Sequence, residues 1–449
     1  MASVLTPKRI KLFLGNLGVL AITVLLGVVL TESFLRLSDS AWERERALMA
    51  SPKPRPQYQQ RDNGLYTLMP NQQAESFGAC FESGPISINE MGFRGRTPGP
   101  SAAKSIALLG DSFIEALQVP DGVAVADRLA NLTGLPVLNS GVSGYATTTE
   151  LLAWRSIVGA QRPSVVVLFF FLGNDVSGNS CELSQTSPPC GKIVDGNLRL
   201  VLESKSASPA MTLAGEASAE QGASLNVGGL KFFLRRHFAL YGLLHDAKLL
   251  WLGFTTEQSQ ARWDLYADPI PAPWSNAWSI TSKVLEQLKR EVEQSGARFA
   301  MVAIPEHIAT APDPSRLMRY GAGSATPKGF DPNLPTQHLL AIAEKLDIPT
   351  LDLLPVFKAY RDRHALPPPY FSFNCNGHWN PLGHALAAAA LAEFLAAQGY
   401  DSRLKGSLDQ AMRTSPQEFL GEDGFQQVYR NGVYNAKAQR SGAPKAAAE

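Results

Sequence analysis

The chain has 449 residues, enough for one large domain with insertions or for two domains. Its 45% hydrophobic content predicts a sizeable buried core. A net charge of +1, with no basic run interleaved with aromatics, argues against a nucleic-acid partner.

Lys8, Arg9 and Lys11 precede an apolar run from Leu12 to Leu30, broken only by the polar Asn16 and Thr23. A spanning helix needs about 20 apolar residues. A secretory signal has a shorter apolar core and a small-residue cleavage site, and no Ala-x-Ala follows here. The expectation is an uncleaved signal anchor over residues 1–36, a single transmembrane helix. Its basic flank stays in the cytoplasm and the rest of the chain lies outside, in the periplasm if the cell is Gram-negative. A cleaved signal or a buried helix is the alternative. Cys80, Cys181, Cys190 and Cys375 are the four cysteines. An even count outside the cytoplasm permits disulfides. Cys181 with Cys190 is one plausible pair, leaving Cys80 with Cys375; free thiols are the other reading. No Cys/His spacing resembles a zinc site, and neither a metal nor a cofactor is expected.

Residues 37–104 read as an extracytoplasmic linker and edge segment. Pro52 to Pro56 looks like a stiff spacer. Ile86 to Gly95 alternates briefly like a strand and then turns at glycine, which predicts packing along a domain edge. From there strands and helices alternate. Ile106–Leu109 is a buried strand stopped by Gly-Asp-Ser. Asp121 is a candidate cap for a helix through Val125, Leu129 and Leu132. Pro136–Asn139 is a second strand and Thr147–Ile157 a helix. Val165–Phe171 is apolar throughout, as a strand covered on both faces should be. Regularity fails over an insertion at about 176–275. Within it, Cys181–Cys190 reads as a loop, Ser206–Ser224 as a flexible linker and Leu230–Leu252 as a basic, aromatic-rich helix. The pattern then resumes with a helix through Ile280 and Val292, a strand at Phe299–Ile304, a helix at His338–Leu346 and a strand at Pro349–Leu353. Asn380 and Pro381 are a cap-and-first-turn pair for a helix reaching Ala397. The α/β domain is therefore drawn at 105–400, followed by a C-terminal extension at 401–449 whose end is disordered.

Ser112 follows the first strand, and ligand crevices in open α/β sheets lie beyond the carboxyl ends of the strands. A serine hydroxyl needs a base to become a nucleophile, and His378, just before a helix start, is the candidate. An oxyanion needs donors. Gly144 offers an unobstructed N–H, and Asn174 follows a strand end so that its amide can face the same crevice. Asp111 and Asp175 can brace the turns. Gly141-Val142-Ser143-Gly144-Tyr145 almost makes a nucleophile elbow but has Tyr145 in place of the last glycine, so Ser143 reads as turn structure. His384 reads as a packing or capping residue. Glu306 and His307 read as an ordinary solvated loop, with substrate contact the lesser alternative.

Gly110-Asp111-Ser112, Gly144, Gly173-Asn174-Asp175 and His378 together resemble the four ordered blocks of the SGNH (GDSL-like) hydrolases. His-Trp-Asn-Pro-Leu-Gly-His at 378–384, the N-terminal anchor and the stretch Asn89–Gly95 resemble the family's membrane-anchored cell-envelope branch, which includes alginate O-acetyltransferase-type proteins. The resemblance implies a flavodoxin-like three-layer α/β/α sandwich around a central parallel sheet. It implies Ser112 as nucleophile and His378 as base. The oxyanion hole would be the Ser112 and Gly144 N–H groups with the Asn174 side chain. The implied activity is that of a serine esterase or O-acyltransferase, acting on acyl, chiefly acetyl, esters of envelope glycans through an acyl-serine. A transferase role would call for a multi-pass partner to bring acyl donors across the bilayer. A non-catalytic carbohydrate-binding or assembly protein and a lipid-directed esterase are the alternatives. The family usually carries an Asp two or three residues before the histidine, where this chain has Asn376 and Cys375. Asn376 as the His-orienting group, a Ser-His dyad, a replacement acid such as Asp352 or Asp362, and a site that has lost catalysis all remain open at this point.

Overall fold

A computed structural model describes residues 7–38, 55–61, 64–76, 84–98, 104–184, 189–202, 240, 263–314, 328–368, 370–373, 377–400 and 402–430. The chain divides into two compact units, residues 1–51 with 219–255, and residues 52–218 with 256–449. The first unit holds helix α1 (Pro7–Ser38), 32 residues long. In it the Leu240 N–H donates to Glu32 Oε2 at 2.8 Å. Described apolar side chains between Val19 and Phe34 are exposed. Among the described residues, however, no helix is long and apolar enough to cross a membrane. The expected transmembrane helix is thus not borne out.

The second unit opens with two small antiparallel hairpins. Strand β1 (Tyr58–Gln60) pairs with β2 (Tyr66–Leu68), and β3 (Gln73–Glu75) with β4 (Pro85–Ser87). Leu65, Leu68, Ile86, Ile88, Phe93 and Arg94 in this segment are buried. The stretch Ile86–Gly95 is thus packed as expected, while most of the spacer expected at Pro52–Pro56 lies outside the described residues.

The main sheet has five parallel strands: β5 (Ile106–Gly110), β6 (Val137–Gly141), β7 (Val165–Phe171), β10 (Arg298–Ile304) and β11 (Thr350–Asp352). Their spatial order is β11-β10-β7-β5-β6. Counted along the chain, this is the 2-1-3-4-5 order of flavodoxin-like sheets, with the crevice where the order reverses, between β5 and β7. The period of two along each strand separates the sheet's two faces. Ala107, Leu109, Val166, Leu168, Phe170 and Met301 join one core with α4 (Thr147–Ala153), α6 (Ala272–Gln294) and α8 (Leu334–Lys345). Ile106, Leu108, Val167, Phe169, Val302 and Ile304 join the other with α3 (Val125–Thr133), α9 (Leu353–Arg363) and α10 (Pro381–Ala397). This is a three-layer α/β arrangement. The short helices α2 (Ser112–Glu115), α5 (Asp175–Asn179) and α7 (His307–Thr310) each begin within four residues of a main-sheet strand end.

Three local readings change. Asp121 does not cap α3, whose N-cap Ala124 makes no side-chain hydrogen bond. Instead Asp121 accepts from the Ser87 N–H at 2.9 Å and lies 3.6 Å from the Arg94 guanidinium. The start of the insertion is ordered. A Cys181–Cys190 disulfide closes its loop, and β8 (Cys190–Val194) pairs with β9 (Asn197–Val201). The turn between them is Asp195-Gly196, both at positive φ, as a tight hairpin requires. The linker and most of the helix expected at 206–224 and 230–252 lie outside the described residues, as do Cys80 and Cys375. Finally, the C-terminal extension packs against the α/β domain as far as Tyr429, and its end, expected to be disordered, lies outside the described residues. Helices α11 (Ser407–Arg413) and α12 (Pro416–Phe425) follow α10. Leu404, Ala411, Phe425, Val428 and Tyr429 are buried in the same core as α10. This explains why α10 is apolar on nearly every face. The sheet takes one side and the tail another.

Candidate active site

The turn after β5 is forced by crowding. A Cβ at Gly110 would lie 2.6 Å from Ile114 Cγ1. The chain therefore passes directly into α2, whose N-cap is Asp111. Its Oδ1 accepts the Phe113 N–H at 2.9 Å. Ser112 is thereby held at the first helical position, at the carboxyl end of the strand.

His378 arrives from the other end of the chain. The Asn380 side chain caps α10, accepting from the Leu382 and Gly383 N–H groups at 3.0 and 3.1 Å. The Phe373 N–H donates to the His378 carbonyl at 2.7 Å. The Phe113 ring lies 5.3 Å from the imidazole and 5.0 Å from Trp379. So fixed, His378 Nε2 stands 2.7 Å from Ser112 Oγ, a hydrogen bond across 266 residues of sequence. Ser112 and His378 are both half-buried.

Asn174 is the third residue after Phe171, which ends β7. Its amide nitrogen donates to Asp111 Oδ2 at 2.8 Å and to the Tyr145 carbonyl at 3.3 Å. Its Oδ1 is buried without a hydrogen-bond partner. Asp175 accepts the Thr147 hydroxyl at 2.8 Å and the Phe171 N–H at 2.7 Å, tying the β7 turn to α4. Gly144 follows β6 with φ +80°, and a Cβ there would meet the Tyr66 hydroxyl at 2.9 Å, so both backbone and space call for glycine. The structure thus brings Ser112, His378, Asp111, Asn174 and Asp175 into one hydrogen-bonded neighbourhood, with Gly144 on the adjoining loop.

The expected orienting residue, Asn376, lies outside the described residues. Asp352 and Asp362 do not reach the histidine. Asp352 caps α9 by accepting the Leu354 N–H at 2.9 Å. Asp362 is 67% exposed and paired with Arg361 at 2.8 Å. His384 is buried in α10 with its ring 5.7 Å from Trp379. Burial, with Arg94 and Arg128 nearby, holds its pKa well below the usual imidazole value, so it is neutral packing. Glu306 departs from its sequence reading: it is 2% exposed and accepts the Tyr266 hydroxyl at 2.5 Å. Among the described residues no cluster could hold a metal ion.

Four further residues were not singled out from sequence. Glu115 is fully buried, and its Oε2 accepts the Tyr58 hydroxyl and the Ser143 N–H, each at 2.9 Å, as well as the Ser143 hydroxyl. The Tyr66 hydroxyl donates to the Ser143 carbonyl at 2.6 Å. Arg94 is buried and donates to the Ala116 carbonyl at the end of α2. A carboxylate lodged among Phe113, Ile114, Ala116 and Leu117 was the available signal for Glu115. The hairpin residues gave none, since their partners are distant in sequence.

The floor of the site is acidic. Burial pushes Asp111 up to about 7, against the pull of the Phe113 and Asn174 donors. Burial likewise pushes Glu115 up to about 7, against its Ser143 and Tyr58 donors. Burial first raises both Asp175 and Glu150; the charge of Asp111 then raises Asp175, and those of Asp175 and Asp111 raise Glu150, and neither Glu150 oxygen has a hydrogen-bond partner. A carboxyl with a raised native pKa binds its proton in the folded chain where the unfolded chain has released it. Stability is then greatest at low pH and declines as pH climbs from the unfolded carboxyl value, near 4, through the native value of about 7. Thermal melts at pH 5, 6, 7 and 8 should show a falling Tm. A flat or rising series would mean that these carboxyls are ionised in the native state.

No family model matches the sequence, and no curated protein matches it. Among solved structures, the chain is similar to a catalytic mutant of an acetylxylan esterase from Geobacillus stearothermophilus. The two are 13% identical with a TM-score of 0.34, over 66% of this chain and 94% of that one. It is similar to a G-D-S-L family lipolytic protein from Desulfitobacterium hafniense at 9% identity and a TM-score of 0.31, over 65% and 99% of the two chains. A lipase/acylhydrolase from Enterococcus faecalis gives 13% and 0.31, over 66% and 96%. These three neighbours carry the names of an acetylxylan esterase, a lipolytic protein of the G-D-S-L family and a lipase/acylhydrolase.

Proposed function

We propose that this protein is a serine esterase or O-acyltransferase that acts on acetyl esters of glycans outside the cytoplasm. The observation that carries the reading is the 2.7 Å contact between Ser112 Oγ and His378 Nε2 at the carboxyl end of the central sheet. In the proposed reaction, His378 Nε2 takes the hydroxyl proton as Ser112 Oγ attacks the ester carbonyl. The oxyanion is stabilised by the Ser112 and Gly144 N–H groups and by the Asn174 amide, which must turn from Asp111 toward it. Collapse breaks the bond to the sugar oxygen, which leaves with the proton carried by His378. Water, or a second sugar hydroxyl, then resolves the acetyl-serine with His378 again as base.

An open site suits an acyl group displayed on a polymer: Ser112, Asn174 and His378 are half-buried and Gly144 is exposed. The sequence resemblance of the four blocks supports the same class. The Cys181–Cys190 disulfide supports an oxidising compartment. The apolar sequence from Leu12 to Leu30, with exposed apolar side chains along α1, supports attachment to the membrane.

The test is covalent labelling of the full-length protein with a fluorophosphonate, in which Ser112 Oγ displaces fluoride from phosphorus. The expected result is a single adduct at Ser112 together with hydrolysis of an aryl acetate. A folded protein with neither adduct nor turnover would overturn the reading.

A further inference from the structure

The loop between β6 and α4 carries Gly144, and two side chains hold that loop from different directions. The Ser143 N–H and hydroxyl both meet Glu115 Oε2. The Ser143 carbonyl accepts the Tyr66 hydroxyl at 2.6 Å. That carbonyl and the Gly144 N–H belong to one peptide unit. A trans peptide is planar, and its C=O and N–H point in opposite directions. Fixing the carbonyl on Tyr66 therefore fixes where the Gly144 N–H points. Gly144 has no side chain to resist rotation of this peptide, and its φ of +80° leaves it conformationally permissive. The loop's own bond, from the Tyr145 N–H to the Val142 carbonyl at 3.1 Å, closes the turn without engaging this peptide, whose carbonyl is held from outside the loop.

We propose that Tyr66 and Glu115 are positioning residues that together aim the Gly144 N–H at the oxyanion. The proposal rests on the esterase reading above. Glu115 anchors one side of the peptide and is itself braced by the Tyr58 hydroxyl at 2.9 Å. Tyr66 anchors the other. The Tyr58 and Tyr66 rings meet edge to face at 5.8 Å, and Tyr66 meets Tyr145 at 5.4 Å, so neither hydroxyl is free to wander. Both tyrosines come from the β1–β2 hairpin, ahead of the α/β sheet in sequence. The hairpin is thus a working part of the site, acting through the loop that carries Gly144. Glu115 acts through its acceptor oxygen and not through charge, because all three donors converge on Oε2 while Oε1 is buried without a partner.

The test uses the full-length protein, an aryl acetate as substrate, and Tyr66→Phe, Glu115→Ala and Glu115→Gln. Complete loss of an oxyanion donor costs about 10²–10³ in turnover, so a misdirected one should cost about tenfold. Tyr66→Phe and Glu115→Ala should each lower kcat by that amount, with KM unchanged within about twofold, because the donor acts on the transition state. Glu115→Gln retains an acceptor oxygen. It should recover most of the kcat lost in Glu115→Ala even where Tm falls, so that stability and turnover separate. Wild-type kcat in folded Tyr66→Phe, or a loss confined to KM, would overturn the proposal. Should Glu115→Ala not fold, Tyr66→Phe decides alone. A wild-type protein inert to both ester and fluorophosphonate would overturn the esterase reading and this proposal with it. An active wild type with unaffected variants would overturn this proposal only.

Discussion

Ser112→Ala and His378→Ala are each expected to lower aryl acetate turnover by about 10⁴–10⁶-fold, the scale of losses when a serine nucleophile or its base is removed. The two side chains act as one unit across a 2.7 Å hydrogen bond. The double variant should therefore be no worse than either single one. Neither change disturbs the packing that places them. Ser112 contributes only a half-buried hydroxyl at the start of α2, and the loop of His378 is held by backbone bonds and the Asn380 cap. Melting temperatures should stay within a few degrees of wild type. Retained turnover in folded His378→Ala would remove the base from the mechanism and leave the contact with Ser112 as structure. Additive losses in the double variant would show the two residues acting independently.

Asn174→Ala should lower kcat by about 10²–10³, the cost of one oxyanion donor. The structure adds a second consequence. The Asn174 amide donates to Asp111 Oδ2 at 2.8 Å. Its removal takes away one of the donors that restrain the raised pKa of Asp111. Asn174→Ala should accordingly lose stability most steeply above pH 7, where Asp111 must ionise without that donor. Asn174→Asp should be worse still, since it sets a second carboxylate against Asp111. Stopped assays and melts at pH 6 and 8 separate the two effects. Unchanged kcat in a folded variant would exclude Asn174 from the oxyanion hole.

Much of this arrangement was legible in the sequence for short-range reasons. Val165–Phe171 reads as a central strand because both faces are covered, and the strand has those bounds. Asn380-Pro381 reads as a helix start because a cap and a fixed φ act within one turn, and α10 begins there. The turns bearing Ser112 and Asn174 announce themselves by the abrupt end of an apolar run. What escaped depended on partners far along the chain. Asp121 has the composition of a cap, but Ser87 and Arg94 engage it instead. Tyr58 and Tyr66 sit in a polar, irregular stretch, and only tertiary packing brings them to Glu115 and Ser143. Asp195-Gly196 was a local hairpin signal that the surrounding irregularity obscured. The apolar run near the N-terminus forms one long helix, as its length suggests, yet the described residues contain no spanning segment.

The tail packed over α10 sets where this protein can be cut. Ala385 to Ala392 are buried without exception. A recombinant fragment ending soon after Tyr400, the natural stopping point by strand count, would uncover an alanine- and leucine-rich helix face that has no charge to keep copies apart. Contiguous apolar surface of that kind favours self-association. A fragment that keeps this core covered therefore runs from the β1–β2 hairpin through Tyr429, and both boundaries lie well outside the sheet that defines the fold.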